Sequence, residues 1–212
     1  SEGARVQRNA CSSVTYALKL LETNQISSLV LVDNARIHEL YPGLPVKKFW
    51  TVANRNFAGV LHTFNLLSAR NSEYNTFDRA DFRTCLRSGL MVFGMSQVDE
   101  WQSQDKISKA VRRNIKGTLL AEGFDLSKGT VAAAIVEADD SVLEEVPMEN
   151  IDYVFHSLSR TLGNEDIMLH SGIYEGEDGV GMRVYTMISG LEPPEDRINE
   201  LRKYLVLDED ED

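Results

Sequence analysis

Between Pro45 and Asn71 the chain carries Phe49, Val52, Ala53, Val60, Leu61, Phe64 and Leu67 at helical spacing, which places them on one face of an amphipathic helix over about 47–70. At about 1.5 Å of rise per residue such a helix spans about 35 Å, enough to cross a domain. An apolar face of that length has to be covered along most of it. Such a helix can join two domains.

Before it, residues 5–22 read as a helix, and Leu29-Val30-Leu31-Val32 after Ser27-Ser28 is a short, continuously apolar run of the kind found in a buried parallel strand. A helix feeding such a strand is an α/β unit. After the long helix, Asn71 to Thr76 is polar and turn-like, and Thr76 or Asp78 caps a helix running to about Arg87. A strand follows near 89–96, then a helix marked by Ile107, Val111 and Ile115. Thr130 to Ala138 is a strand, and Ile151, Val154, Phe155, Leu158 and Leu162 mark another helix. The last two strands, Ile167 to Tyr174 and Met182 to Ser189, flank a glycine-rich acidic loop, Gly176 to Gly181, and read as a hairpin. About four strands and two helices after the long helix make an α+β domain with one sheet face covered. The expected division is 1–46, 47–70 for the helix, 71–194, and 195–212 for a terminal helix and acidic tail.

The 212 residues, 42% of them apolar, suffice for one large domain or two small ones with a real core. No apolar run approaches the roughly 18 residues of a membrane span, and the start has neither a basic region nor an apolar signal segment. A soluble, cytoplasmic protein is expected. The chain begins Ser1-Glu2-Gly3 without methionine, close to a helix, as a fragment or a processed product would. Cys11 and Cys85 lie in helix-like stretches without metal or redox spacing, and His38, His62, His156 and His170 form no HxH or HExxH pattern, so free thiols and no metal site are expected. With 22 Lys and Arg against 33 Asp and Glu, the formal charge of −11 repels nucleic acid and anionic lipid. Part of that charge sits in Asp208 to Asp212, a tail too charged to bury and a candidate docking segment for a protein partner.

Three groups of residues carry chemistry. Asp78-Arg79-Ala80-Asp81 sets two carboxylates three residues apart at a helix start, where they either cap the helix or orient a water for attack on a phosphate. Trp50 and Asn54, spaced i,i+4, place an aromatic face beside an amide, an arrangement that suits a purine and equally suits plain packing. Asn34 follows the strand at 29–32, at the carboxyl end where α/β sheets bind ligands, or it is a turn residue. The Gly176 to Gly181 loop feeds a strand rather than a helix, so it offers no helix amino terminus to a phosphate.

Taken in order, these residues resemble the tubulin/FtsZ superfamily over nearly the whole chain. Ser1-Glu2-Gly3-Ala4-Arg5 with Ala10 is similar to the segment whose acid contacts the ribose. Val32-Asp33-Asn34 is similar to the strand end with a guanine-contacting asparagine, and Trp50 to Arg55 to the part of the central helix that faces the base. Asn75 with Asp78 and Asp81 resembles the loop that completes the catalytic site of the next subunit in a filament. Leu119-Leu120 with Asp125-Leu126-Ser127, and Arg183 to Gly190, resemble the carboxy-terminal domain of FtsZ.

The resemblance implies the end of a Rossmann-like GTPase domain, a long central helix, and a four-stranded mixed sheet covered by helices. It implies a filament-forming GTPase of cell division or the cytoskeleton, assembled head to tail from copies of itself. GTP or GDP would be contacted by Glu2, Arg5 (with Arg8 as competitor), Asn34, Trp50 and Asn54, with Mg2+ in the complete site. Asp78, Asp81 and Asn75 would activate hydrolysis in the adjacent subunit. The asparagine stands one residue farther from the first aspartate than the family's pattern, and Arg55 replaces an acid or amide, which implies a divergent member. The family's phosphate loop, GGGTG(S/T)G, is absent along with its domain. The 212 residues alone are therefore not expected to hold a triphosphate. The alternatives are a non-hydrolysing scaffolding homologue of the same fold and a free-standing α+β domain that binds a small molecule or peptide.

Overall fold

The computed structural model describes residues 3–117, 123–164 and 166–206. The chain opens with α1 (Ala4–Glu22), touches the sheet briefly as β1 (Ser28–Leu29), and forms α2 (Asn34–Leu40). Pro45, with φ held at −57°, then leads into α3 (Val46–Leu67), the long helix expected over 47–70. Beyond it lie α4 (Arg79–Leu86), β2 (Gly89–Val98), α5 (Gln104–Gly117), β3 (Val131–Ala138), α6 (Asp140–Glu145) and α7 (Met148–Leu162). The chain continues through β4 (Met168–Glu175), β5 (Met182–Leu191) and α8 (Glu195–Val206). Gly163, at φ 65°, ends α7 in the left-handed conformation that glycine adopts without strain.

The sheet has five strands in the order β1-β2-β5-β3-β4. The four expected after the long helix are there, and β1 adds a fifth by pairing parallel to the start of β2, Ser28 with Gly89 and Leu29 with Leu90. The parallel strand expected over 29–32 is shorter than its apolar run, because Val32 is already 46% exposed.

The expected hairpin does not form. β4 pairs parallel to β3, β5 pairs antiparallel to β3, and β3 lies between them. The composition of β3 explains this. Val131, Ala132, Ala133, Ala134, Ile135 and Val136 are all buried, so β3 needs a neighbour on each edge and cover on each face. The α6–α7 crossover then returns the chain parallel to β3 on its outer side. Glycines at 176–181 carry the link across the end of β3, where Gly176 N donates to Ala138 O at 2.7 Å and Gly181 N to the Asp139 carboxylate at 3.0 Å.

Helices cover both faces of the sheet, not one. Tyr185 and Thr186 are neighbours on β5 and so point to opposite faces. The Tyr185 ring lies 6.4 Å from Phe64 of α3, while Thr186 accepts a hydrogen bond from Asn114 of α5 at 3.0 Å. α3 and α4 therefore share one face, α5 and α7 the other, and α8 packs on α1.

Candidate functional site

The link from α3 to α4 lies along the free edge of β4, held by side chains from both partners. Ser72 Oγ donates to the carbonyl of Ile173. Asn75 forms an antiparallel bridge with Ile173, whose N–H donates to Asn75 O at 2.8 Å, and Asn75 Nδ2 donates to Ser171 Oγ at 2.8 Å. The Tyr174 hydroxyl both accepts from Phe77 N and donates to Phe77 O, each at 2.9 Å. Burial pushes that phenol's pKa up, so it remains protonated and able to do both. His170, Gly172 and Tyr174 alternate along β4 and share the face that meets this link. Gly172 makes room for it: a Cβ there would come within 2.8 Å of the Phe77 Cβ.

The link ends in a capping box. Asp78 Oδ1 accepts from Ala80 N at 2.7 Å and from Asp81 N at 2.9 Å, while Asp78 N donates back to Asp81 Oδ2 at 3.0 Å. The helix-start reading of the two aspartates is thus realised, with Asp81 as the second half of the cap. Its other oxygen, Oδ1, lies 2.7 Å from Nδ1 of His170. One turn on, Cys85 is fully buried. Burial first, and the Asp81 charge second, push its thiol up to about 12.

The second group lies near the amino-terminal end of α3. Trp50 is 52% exposed and meets Phe49 edge-on at 5.2 Å, and Phe49 stacks on His38 of α2 at 4.4 Å. Ile37 and Phe49 are the buried centre of that contact, which fixes α2 against the start of α3. Asn54 is exposed one turn beyond Trp50, with Arg55 exposed beside it. Asn34 is the first residue of α2, and its side chain lies outside what is described. Arg5 is exposed on α1, and Arg8 is half-buried. Glu2, the Leu119-Leu120 pair and the tail from Asp208 lie outside the described residues.

The structure brings Asn75, Asp78 and Asp81 together, and sets Trp50 and Asn54 together at the opposite end of the helix. The residues that sequence reasoning missed are the partners on β4: His170, Ser171 and Tyr174. Their only local signal is the alternation of His170, Gly172 and Tyr174 along a strand. Among the described residues no group of three His, Cys, Asp or Glu side chains could hold a metal ion, and no helix is long and apolar enough to cross a membrane. A cleft of about 580 Å³ beside α4 is lined by Arg79, Arg83 and Arg87 together with Ser27, Asn65 and Ser68.

A mixed sheet clasped between helices, with a long helix running into an edge-strand loop, is the carboxy-terminal architecture of the tubulin/FtsZ class. The chain belongs to that class's TubZ-like family: residues 63–202 match the family described as "Tubulin/FtsZ-like protein TubZ-like, C-terminal domain". It is 22% identical over 172 residues to Cell division protein FtsZ 2 of Methanocaldococcus jannaschii, covering 79% of this chain and 42% of that protein. Its fold is similar to that of TubZ from Bacillus thuringiensis serovar israelensis, solved as GDP-form protofilaments, with a TM-score of 0.80 at 15% identity over 100% of this chain and 59% of that one. CetZ2 from Haloferax volcanii, solved as a GTPγS-bound protofilament, gives a TM-score of 0.76 at 18% identity over 98% of this chain and 59% of that one. The chain thus spans about half the length of the relatives it matches.

Proposed function

We propose that this chain is the carboxy-terminal part of a cytoplasmic, filament-forming GTPase, with a base-contacting surface at one end and a hydrolysis-activating loop at the other. One observation carries the reading: Trp50 and Asn54 lie near the start of α3, whereas Asn75, Asp78 and Asp81 follow its end. From Trp50 to Leu67 the helix rises about 26 Å, farther than the side chains of one site reach. The two groups serve one nucleotide only if they come from different subunits stacked head to tail. That relatives were solved as protofilaments in GDP and GTPγS forms supports the same assembly here.

In this reading residues 1–46 end the nucleotide-binding domain, 47–70 are the central helix and 71–194 the activation domain. Glu2, Arg5, Asn34, Trp50 and Asn54 face the guanosine, and the phosphates and Mg2+ are held by a part of the protein outside this chain. Mg2+ has no fitting donor set among the described residues, and no step is routed through it. Asp81, with lone pairs left beyond its two contacts, accepts a hydrogen bond from water facing the neighbour's terminal phosphate. The water oxygen bonds the terminal phosphorus, the bond from that phosphorus to the bridging oxygen breaks, and the surplus proton leaves with the released phosphate. A scaffolding role without hydrolysis is the second reading, favoured by the capping box, which already gives both aspartates a structural task.

The aspartates separate the two. In the full-length protein, Asp78→Ala and Asp81→Ala should leave GTP binding intact, cut turnover per polymerised subunit by roughly 10²-fold, and prolong filaments. If they only cap, each costs about 1 kcal/mol of stability and leaves turnover unchanged. Mixing Asp81→Ala subunits with subunits disabled in the phosphate loop should restore part of the activity. A mixture that copolymerises yet stays inactive rules out a shared site.

A further inference from the structure

We infer that His170 is a positioning residue for Asp81, holding its carboxylate in the orientation that meets the neighbour's water; this rests on the reading of the 75–81 loop as hydrolysis-activating. The Asp81 carboxylate is gripped from two sides. Asp78 N–H donates to Oδ2 at 3.0 Å, and the His170 ring contacts Oδ1 through Nδ1 at 2.7 Å. The first grip comes from the capping box and exists whatever the loop does. The second comes from a strand 89 positions later in the chain, which capping does not require.

The far side of the ring makes no competing polar contact among the described residues. Nε2 is buried and has no hydrogen-bond partner, so among the described residues Asp81 is the only group to which the imidazole bonds. The Asp81 carboxylate only accepts, so Nδ1 is the donor of this contact. Phe77 packs edge-on against the ring at 6.5 Å, and the Tyr174 hydroxyl clamps the Phe77 backbone. Imidazole, loop and carboxylate are therefore registered on one strand. The Asp81 side chain keeps 27% exposure and His170 17%, so the acid faces outward while its orienting group sits behind it.

The test uses the full-length polymerising protein, with turnover normalised to sedimented polymer. His170→Ala should lower turnover per polymerised subunit by up to about 10²-fold, the scale expected when a reacting group is misplaced, with GTP affinity and critical concentration little changed. His170→Asn, whose amide N–H can stand where Nδ1–H stands, should recover most of the loss. His170→Gln, which carries its amide one carbon farther out, should not. In an Asp81→Ala background, His170→Ala should add nothing. Parent-rate turnover by His170→Ala polymer overturns the proposal, as does equal loss in the Asn and Ala variants. If Asp81→Ala itself turns over at the parent rate, the hydrolysis reading fails first, and that outcome is visible without any His170 variant. If His170→Ala does not fold, the Asn and Gln pair still decides between orientation and bulk.

Discussion

At the scale of single residues, exposure separates roles that sequence leaves open. Trp50 has half its surface in solvent and meets Phe49 edge-on at 5.2 Å, so part of the indole is open to a ligand. Trp50→Ala and Asn54→Ala should leave the full-length protein folded, with the melting temperature of the exposed Asn54 variant nearly unmoved. Each should weaken guanine nucleotide binding by about 1–3 kcal/mol, and Asn54→Ala should also reduce the preference for guanine over adenine. Calorimetric titration with GTP and ATP checks both. Unchanged affinity in both variants would show that the pair has no part in binding. The aspartates are the reverse case, since capping and the proposed part in catalysis fall on the same carboxylates, and only measurements that separate stability from turnover divide them.

At the scale of elements, the edge of β4 is a demanding fit. Gly172 sits where any side chain would press on the Cβ of Phe77 at 2.8 Å and on its backbone nitrogen at 3.2 Å. Gly172→Ala should cost about 1–3 kcal/mol by overpacking and loosen the 72–78 link, seen as a lower melting temperature and faster amide exchange at Phe77 and Ile173. The sequence already disclosed α3, the strands near 89–96 and 130–138, and α7, because each carries a long periodic or continuous apolar pattern that local physics reads directly. Strand partners were less legible. β4 and β5 look like a hairpin because a glycine-rich loop joins them, and nothing local to 167–189 says that β3 must intervene. Only the unbroken burial of β3 argues for it, from 30 or more positions upstream. His170 was illegible for the same reason: its meaning lies in a contact with Asp81, and neither residue's neighbourhood in the chain names the other.

At the scale of the whole molecule, two buried acids make stability fall at alkaline pH. The Cys85 thiol rises from an ordinary value of 9.0 to about 12, mainly through burial. The Tyr185 phenol rises from 10.0 to about 12 through burial and then its 2.8 Å hydrogen bond to Glu137. Between pH 9 and 12 the unfolded chain releases protons that the native chain keeps, so the stability present below pH 9 is lost as pH rises toward 12. The melting temperature should fall from pH 8.5 to about 10.5, and less steeply for Cys85→Ala than for the parent when each is referred to its own value at pH 8.5. Identical slopes would mean that the thiol does not contribute.

The strip from Ser72 to Phe77 has one more effect. An outermost strand with free N–H and C=O groups is a template on which foreign strands can add, and proteins blunt such edges with charge, bulges or cover. Here the cover is the strip itself, laid antiparallel against Ile173 and stitched through Ser171 and Tyr174. The segment proposed to reach across a filament junction also guards the margin of the sheet. Loosening it exposes a bare strand open to sideways β-pairing, the first step of aggregation.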